Sequence, residues 1–175
     1  GALGARDDND VAFRQHAVEL GEREDALDAV ARLPRAAVGG DDAAAEGGGA
    51  HSSTLYNSLI QANRALTGDG GGTYSTTSRD CTLIGNTAAG YGGGAHGGST
   101  ELPLYDCLLF GNTAANGGGA SDVDMRNCTL AGNTATTSGG GLYITTFGWA
   151  PIYNCIIYSN TAPANPNWIA ESTYT

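Results

Sequence analysis

The chain contains no lysine and few charged residues of any kind. Only 15% of its 175 residues are charged, all eight basic residues are arginine, and the formal net charge is −10. Nucleic acids and anionic membrane surfaces attract proteins through basic side chains. The composition therefore argues against both as partners, and we expect no nucleic-acid binding.

Long apolar runs are also missing from the sequence. No stretch reaches 18 consecutive apolar residues, which is about the length that a membrane-spanning helix needs. We therefore expect no membrane-spanning segment.

A short phrase recurs along the chain instead, an aliphatic run that ends in Asn-Thr-Ala. The clear copies span residues 81–88, 107–114, 128–135 and 155–162, with degenerate copies at 58–65 and 36–43. Successive copies begin 22, 23, 26, 21 and 27 residues apart. A repeat of this length indicates one structural unit stacked on copies of itself, which is a solenoid.

Each repeat contains a strand signal and a glycine triplet. The aliphatic phrase alternates between two faces and ends in a bend, as a short strand does. The triplets at 47–49, 70–72, 92–94, 117–119 and 139–141 exclude helix, because each glycine costs about 1 kcal/mol there relative to alanine. One repeat is predicted to hold two or three short strands, paired in parallel with the next coil about 4.8 Å away.

The predicted fold is therefore an all-β solenoid. We expect a right-handed, single-stranded parallel β-helix of the pectin-lyase-like class, with about five to six coils over residues 36–175.

Equivalent residues of stacked coils should form ladders. The inward ladder of the phrase is Cys81, Cys107, Cys128 and Cys155. The ladder at the bend, predicted to bond the next coil and itself, is Asn63, Asn86, Asn112, Asn133 and Asn160. An outer ladder alternates rings with guanidinium groups, which can make cation–π contacts of about 0.5–1 kcal/mol each; its members are Tyr56, Arg79, Tyr105, Arg126 and Tyr153.

The spacing of the four cysteines matches the repeat period, so we interpret them as buried free thiols. A line of thiols along an axis cannot provide the tetrahedral set that zinc requires. A disulfide between adjacent coils stays open, because the ladder spacing falls near the allowed Cα range.

Residues 1–35 lack the phrase and are predicted to form a separate capping or association segment. The stretch 8–33 is rich in Ala, Glu, Leu and Arg, which favours one broken helix or two short ones, interrupted at Gly21. Such a helix would cover the open edge of the first coil. The alternative is one more degenerate coil, with Val11, Phe13, His16 and Val18 at the Cys, Leu, Asn and Ala positions.

The repeats resemble a known family. Leu83-Ile84-Gly85-Asn86 and Leu109-Phe110-Gly111-Asn112 resemble an FxxN-type motif with Leu in place of Phe, and Gly92-Gly93-Gly94-Ala95 and Gly139-Gly140-Gly141-Leu142 resemble its companion GGA-[ILV] motif. Together they resemble the repeats of polymorphic outer-membrane proteins and of secreted bacterial right-handed parallel β-helix proteins, over roughly residues 36–170. The resemblance implies export, an extracellular or cell-surface location, and a structural or adhesive role.

The outward strand positions carry no carboxylate and no basic side chain; they are Thr82, Leu108, Thr129, Ile156, Ile84, Phe110, Ala131 and Tyr158. Polysaccharide lyases and glycosidases need clustered carboxylates there, so we predict a protein that is not an enzyme and has no cofactor.

The remaining polar residues are expected to have structural or solvent-exposed roles, with no part in catalysis. Asp80 and Asp106 are expected to bond backbone at a bend, and Asp122 and Asp124 suit a solvated loop or a weak calcium site better than catalysis. The histidines, His16, His51 and His96, are expected at the surface.

An outward apolar stripe of Leu108, Phe110, Ile156 and Tyr158 is the predicted interaction site, for a partner or for the N-terminal segment. Aromatic residues suited to stacking on a sugar are Tyr91, Phe147, Trp149 and Tyr158. The one N-glycosylation sequon is Asn127-Cys128-Thr129.

The predicted function is that of an extracellular structural or adhesive protein, and possible partners include glycans. The strand-like run at 170–175 has no visible cap, so we expect self-association head to tail, up to a fibre. The alternative is a carbohydrate-binding or polysaccharide-acting β-helix.

Overall fold

The computed structural model describes residues 36–98, 103–145 and 150–171, which form a parallel β-solenoid of about five turns. This confirms the predicted all-β solenoid. The predicted N-terminal helix, its degenerate-coil alternative and His16 lie outside the described residues. The right-handed winding stays a prediction.

Each turn passes through four sheets, which we name A to D in the order in which the chain visits them. Sheet A contains β1 (Ala36–Gly39), β5 (Ser58–Gln61), β9 (Thr82–Ile84), β13 (Leu108–Phe110), β17 (Thr129–Ala131) and β21 (Ile156–Tyr158). Sheet B contains β2 (Asp42–Ala43), β6 (Arg64–Ala65), β10 (Thr87–Ala88), β14 (Thr113–Asn116) and β18 (Thr134–Ser138).

Sheet C contains β3 (Ala50–His51), β7 (Thr73–Tyr74), β11 (Ala95–His96), β15 (Ala120–Ser121), β19 (Leu142–Ile144) and β22 (Trp168–Ala170). Sheet D contains β4 (Thr54–Tyr56), β8 (Thr77–Arg79), β12 (Leu104–Tyr105), β16 (Met125–Arg126) and β20 (Ile152–Tyr153). The prediction of two or three strands per repeat was wrong, because strands of only two residues are too short to leave an alternating pattern.

The strands are short because the chain bends between sheets, at residues whose φ is positive, in the left-handed backbone conformation. The corner between sheets D and A has φ of 44–55° at Asn57, Asp80, Asp106, Asn127 and Asn154. Asn and Asp tolerate this conformation better than other residues with a side chain. The sequence signal for this corner is therefore the Asn or Asp that precedes every copy of the phrase except the one at 36–43.

The glycine triplet is required by close approach of successive coils. Its first residue has a positive φ, 63° at Gly92. At the third residue, a Cβ on Gly94 would lie 2.6 Å from the Gly119 carbonyl oxygen and 3.0 Å from Asn112 Nδ2. A larger residue would push the coils apart at this point.

The centre of the solenoid is a ladder of aliphatic side chains on sheet A. Ile60, Leu83, Leu109 and Leu130 are fully buried, in register on successive coils. On the opposite side of the same core lie Leu104 and Met125 of sheet D and Leu142 of sheet C. The inward register predicted from the phrase is therefore confirmed.

The asparagine ladder runs beside this core and bonds as predicted. Asn63, Asn86, Asn112 and Asn133 have no solvent exposure, and Asn160 has 7%. Asn86 Nδ2 donates to Asn112 Oδ1 at 3.0 Å and to the Ile60 carbonyl at 3.0 Å. The Asn86 backbone N–H also donates to Asn112 Oδ1, at 2.9 Å. Each amide thereby ties its own coil to the coils on both sides.

The cysteine ladder occupies the first inward position after the left-handed corner. Cys81, Cys107 and Cys128 are buried and Cys155 is half-buried; all four are free thiols. Each Sγ donates to the carbonyl oxygen two residues earlier, at 3.1 Å from Cys81 to Arg79 and 3.1 Å from Cys107 to Tyr105. Hydrogen bonding to the Cys128 and Cys81 thiols, together with burial, raises the pKa of Cys107.

Candidate interaction surfaces

Sheet A presents the predicted apolar stripe on its outer face. Leu108, Phe110, Ile156 and Tyr158 are 39%, 50%, 60% and 53% exposed. They come from β13 and β21, with β17 between them. The four side chains therefore lie in two pairs, separated by one coil.

Two other residues predicted on the outer face of sheet A are buried. Thr82 and Ala131 are both 5% exposed, although their register places them on the outer face. Larger side chains flank each of them on adjacent coils: Leu108 beside Thr82, and Phe110 and Tyr158 beside Ala131. The Phe110 ring also lies close to the next coil: a Cβ added to Gly132 would be 3.0 Å from Phe110 Cε2.

Sheet D carries the outer ladder of tyrosine and arginine, which we call the tyrosine–arginine stripe; it consists of Tyr56, Arg79, Tyr105, Arg126 and Tyr153. The Arg79 guanidinium carbon lies 3.9 Å from the centre of the Tyr105 ring. The Arg126 guanidinium carbon lies 5.9 Å from the same ring and 5.2 Å from that of Tyr153. Tyr105 is thus held between two cations, as the sequence predicted.

A polar row forms the rim between the stripe and sheet A; it consists of Asn57, Asp80, Asp106, Asn127 and Asn154. Asn127 Nδ2 donates to Asp106 Oδ1 at 3.0 Å, and Asn154 Nδ2 donates to Asn127 Oδ1 at 2.8 Å. Asp106 therefore accepts from a side chain, whereas we had expected it to bond backbone. Asn127, the residue of the glycosylation sequon, is exposed but already bonded on both sides.

The outer side of sheet C carries a row of adjacent rings that the sequence pattern did not predict. His51 and Tyr74 stack with centroids 5.1 Å apart, and Tyr74 lies 5.3 Å from His96. Tyr91 then bridges from His96 at 6.2 Å to Tyr143 at 5.6 Å. A signal was present, because three of these rings follow the small residue after the triplet, as in Gly-Gly-Gly-Ala-His and Gly-Gly-Gly-Thr-Tyr.

Carboxylates flank this row of rings. His51 Nε2 lies 3.7 Å from Glu46 Oε2, and His96 Nε2 lies 4.0 Å from Asp69 Oδ2. Tyr143 donates from its hydroxyl to Glu171 Oε1 at 2.5 Å.

Burial distinguishes the two histidines of the row. The His51 side chain is half exposed, as expected, but that of His96 is only 11% exposed, so its expected surface position was wrong. Burial lowers the pKa of His96, while Asp69, Asp122 and Glu46 act in the opposite direction.

The ring geometry limits what this row can do. Only the His51 and Tyr74 rings stack in parallel, with an interplanar angle of 7°; the other three ring pairs are tilted by 34–43°. The groups available to a ligand there are nitrogen atoms, hydroxyls and carboxylates, which bind by hydrogen bonding.

The structure assigns no metal site to the described residues. Within 36–98, 103–145 and 150–171, no group of three or more His, Cys, Asp or Glu side chains is arranged to hold a metal ion. The loop carboxylate considered for calcium, Asp122, instead accepts a hydrogen bond from the Thr145 backbone N–H at 2.7 Å. In that same part of the chain, no helix is long and apolar enough to cross a membrane.

The chain matches no protein-family model, no curated protein and no solved structure. The surfaces described above are therefore the basis for assigning a function.

Proposed function

We propose that the chain is an extracellular structural or adhesive solenoid, which works by binding at its outer faces. The observation that carries the proposal is the tyrosine–arginine stripe of sheet D. The resemblance of the repeats to those of polymorphic outer-membrane proteins supports the location and the adhesive role.

The stripe has the composition of a binding surface. Tyrosine and arginine are enriched where protein interfaces gain most of their affinity. Arg79 and Arg126 are both exposed. The ion pairs found among the described residues involve other basic side chains, those of His51, Arg64 and His96. Arg79 and Arg126 thus keep N–H groups for a partner while the Tyr105 ring holds them in place.

Exposed apolar side chains concentrate on the same side of the solenoid. Six of the eight large exposed hydrophobic residues among the described ones belong to the stripe or to the adjoining sheet A. They are Tyr56, Tyr153, Leu108, Phe110, Ile156 and Tyr158. A concentration of this kind marks an interaction site on a protein that is otherwise polar.

End-to-end assembly belongs to the same proposal. Among the described strands of sheet A, β1 and β21 each pair on one side only. A strand with one open side can pair with another chain, and repeated head-to-tail pairing would build a fibre.

Adhesion can be tested with beads coated with the 175-residue chain. Their retention under flow is measured on layers of fibronectin, collagen, heparin, pectate and the chain itself. We expect retention on at least one layer, and a loss of at least tenfold for the double variant Arg79→Gln/Arg126→Gln. Arg64→Gln is the matched control, since Arg64 is also exposed but lies on sheet B near Asp42.

Equal retention of the double variant and the control would show that the stripe is not the adhesive surface. Retention on no layer would count against adhesion itself.

A second candidate function is carbohydrate binding, which the row of sheet C favours. Imidazoles, tyrosines and the carboxylates of Glu46 and Asp69 lie together there, and such groups bond sugar hydroxyls. Binding to a panel of immobilised glycans should then fall in Asp69→Asn and stay unchanged in Arg126→Gln. The opposite pattern would exclude sheet C as the glycan site.

A further inference from the structure

The first outward position of the sheet A strands alternates between large and small side chains from coil to coil. The first outward positions of β5, β9, β13, β17 and β21 are Leu59, Thr82, Leu108, Thr129 and Ile156. Large residues occupy every second coil, with threonine between them. With coils about 4.8 Å apart, the face has ridges about 10 Å apart and none of its outward residues is charged.

We propose that two copies of the chain pack face to face through sheet A, with their solenoid axes antiparallel. The twofold axis runs parallel to the strands and passes between β13 and β17. This operation keeps the position along each strand but reverses the order of the coils. A residue of β13 then faces β17 of the second copy, and a residue of β21 faces β9.

This arrangement places a large side chain opposite a small one at each pair of first positions. Leu108 faces Thr129 of the second copy, and Ile156 faces Thr82 of the second copy. An axis that passes through a strand would instead set Leu108 against itself or against Ile156, and the ridges would collide. Interdigitation of this kind is how two sheets achieve close packing.

The polar rim favours this axis over the one between β9 and β13. With the axis between β13 and β17, Asp106 faces Asn127 of the second copy, and Asp80 faces Asn154 of the second copy. An amide can donate to a carboxylate, so both pairs can form hydrogen bonds. An axis between β9 and β13 would set Asp80 against Asp106, and two carboxylates at the same rim repel each other.

The contact is small, so the dimer is a weak one. Four coils, β9 to β21, meet across the axis and span about 19 Å, and each of their strands contributes three residues across. Such a face falls below the size of a standard stable interface. The dimer therefore dissociates on dilution, and it leaves the tyrosine–arginine stripe outside the sheet A contact.

Sedimentation velocity over a concentration series measures the association. The wild type is expected to shift from monomer to dimer as concentration rises, and Thr129→Arg to weaken that shift at least tenfold by filling the groove. Thr134→Arg is the matched control, since Thr134 is an exposed outward threonine of the same coil on sheet B. A wild type that stays monomeric throughout, or equal loss in both variants, overturns the proposal.

Cross-linking locates the axis. Single variants Leu108→Cys and Thr129→Cys are prepared in a Cys155→Ala background and treated with a short bismaleimide. A mixture of the two should give a cross-linked dimer, whereas neither variant alone should. Cross-linking of Leu108→Cys with itself would place the axis on β13 and overturn this register.

Different results would contradict the dimer and the proposed adhesive function. Larger assemblies that Thr129→Arg does not affect would contradict the face-to-face dimer and favour end-to-end stacking. Loss of bead retention in Arg79→Gln/Arg126→Gln concerns the stripe alone and leaves the dimer unchanged.

Discussion

Replacing Asn112 with alanine should destabilise the solenoid strongly, because Asn112 lies in the middle of a buried polar ladder. Its Nδ2 donates to the Leu83 carbonyl at 2.9 Å and to Asn133 Oδ1 at 3.0 Å. Its Oδ1 accepts from the Asn86 backbone N–H at 2.9 Å and from Asn86 Nδ2 at 3.0 Å. Alanine removes all four bonds at once.

The magnitude follows from the number of bonds and from burial. At a net contribution of about 1 kcal/mol per hydrogen bond, four bonds amount to about 4 kcal/mol. The Asn86 N–H is left without this acceptor in a site with no solvent exposure, which adds to the cost. A loss of about 4 kcal/mol is a large share of the stability of an ordinary domain, about 5–15 kcal/mol.

Urea unfolding followed by circular dichroism measures this loss as a fall in the midpoint. The matched control is Asn154→Ala, which removes an asparagine of the exposed rim whose Nδ2 bonds only to Asn127 in the ladder direction, at 2.8 Å. The control should change the free energy of unfolding by only about 1 kcal/mol, because alanine tolerates the positive φ of 51° at this corner less well than asparagine. If the two variants differed by less than about 1 kcal/mol, the ladder would not be the stabilising element that its geometry indicates.

Three further predictions concern the core and the ring row. Leu109→Asp should abolish folding, because it places an unpaired charge at a fully buried position; a soluble variant with a native circular dichroism spectrum would show that the inward register is wrong. Thiol labelling of the native protein should modify Cys155 first, since the other three thiols are buried, and four thiols should react in denaturant without reductant. The lowered folded-state pKa of His96 means that the unfolded state binds this proton more readily, so stability should fall as the pH drops below about 6.5. The melting temperature of His96→Tyr should fall less on acidification than that of the wild type. The same pH dependence in both proteins would count against a buried neutral imidazole.

The sequence by itself determined the fold and the register of the solenoid. The phrase that ends in Asn-Thr-Ala recurs with a Cys, a Leu and an Asn at fixed positions, and identical positions of stacked coils must meet. The spacing of Leu83, Leu109 and Leu130 is therefore sufficient to place them in one ladder. The contact of Tyr105 with Arg79 and Arg126 could be predicted from the sequence for the same reason.

Features that join different positions of the repeat needed the tertiary structure. Tyr91 precedes its glycine triplet, whereas His96 and Tyr143 follow theirs, yet the three rings form one row because the coil folds back at the corner. Comparison of equivalent positions would group His96 with Tyr143 but would not add Tyr91.

Burial on the outer face was also decided only by the folded chain. Thr82 and Ala131 share an outward register with the exposed Leu108 and Phe110, but they are smaller and have larger side chains on the adjacent coils. Sequence period fixes which way a side chain points. How far it reaches above its neighbours, and so whether solvent or a partner can touch it, depends on the side chains of adjacent coils, which lie more than twenty residues away along the chain.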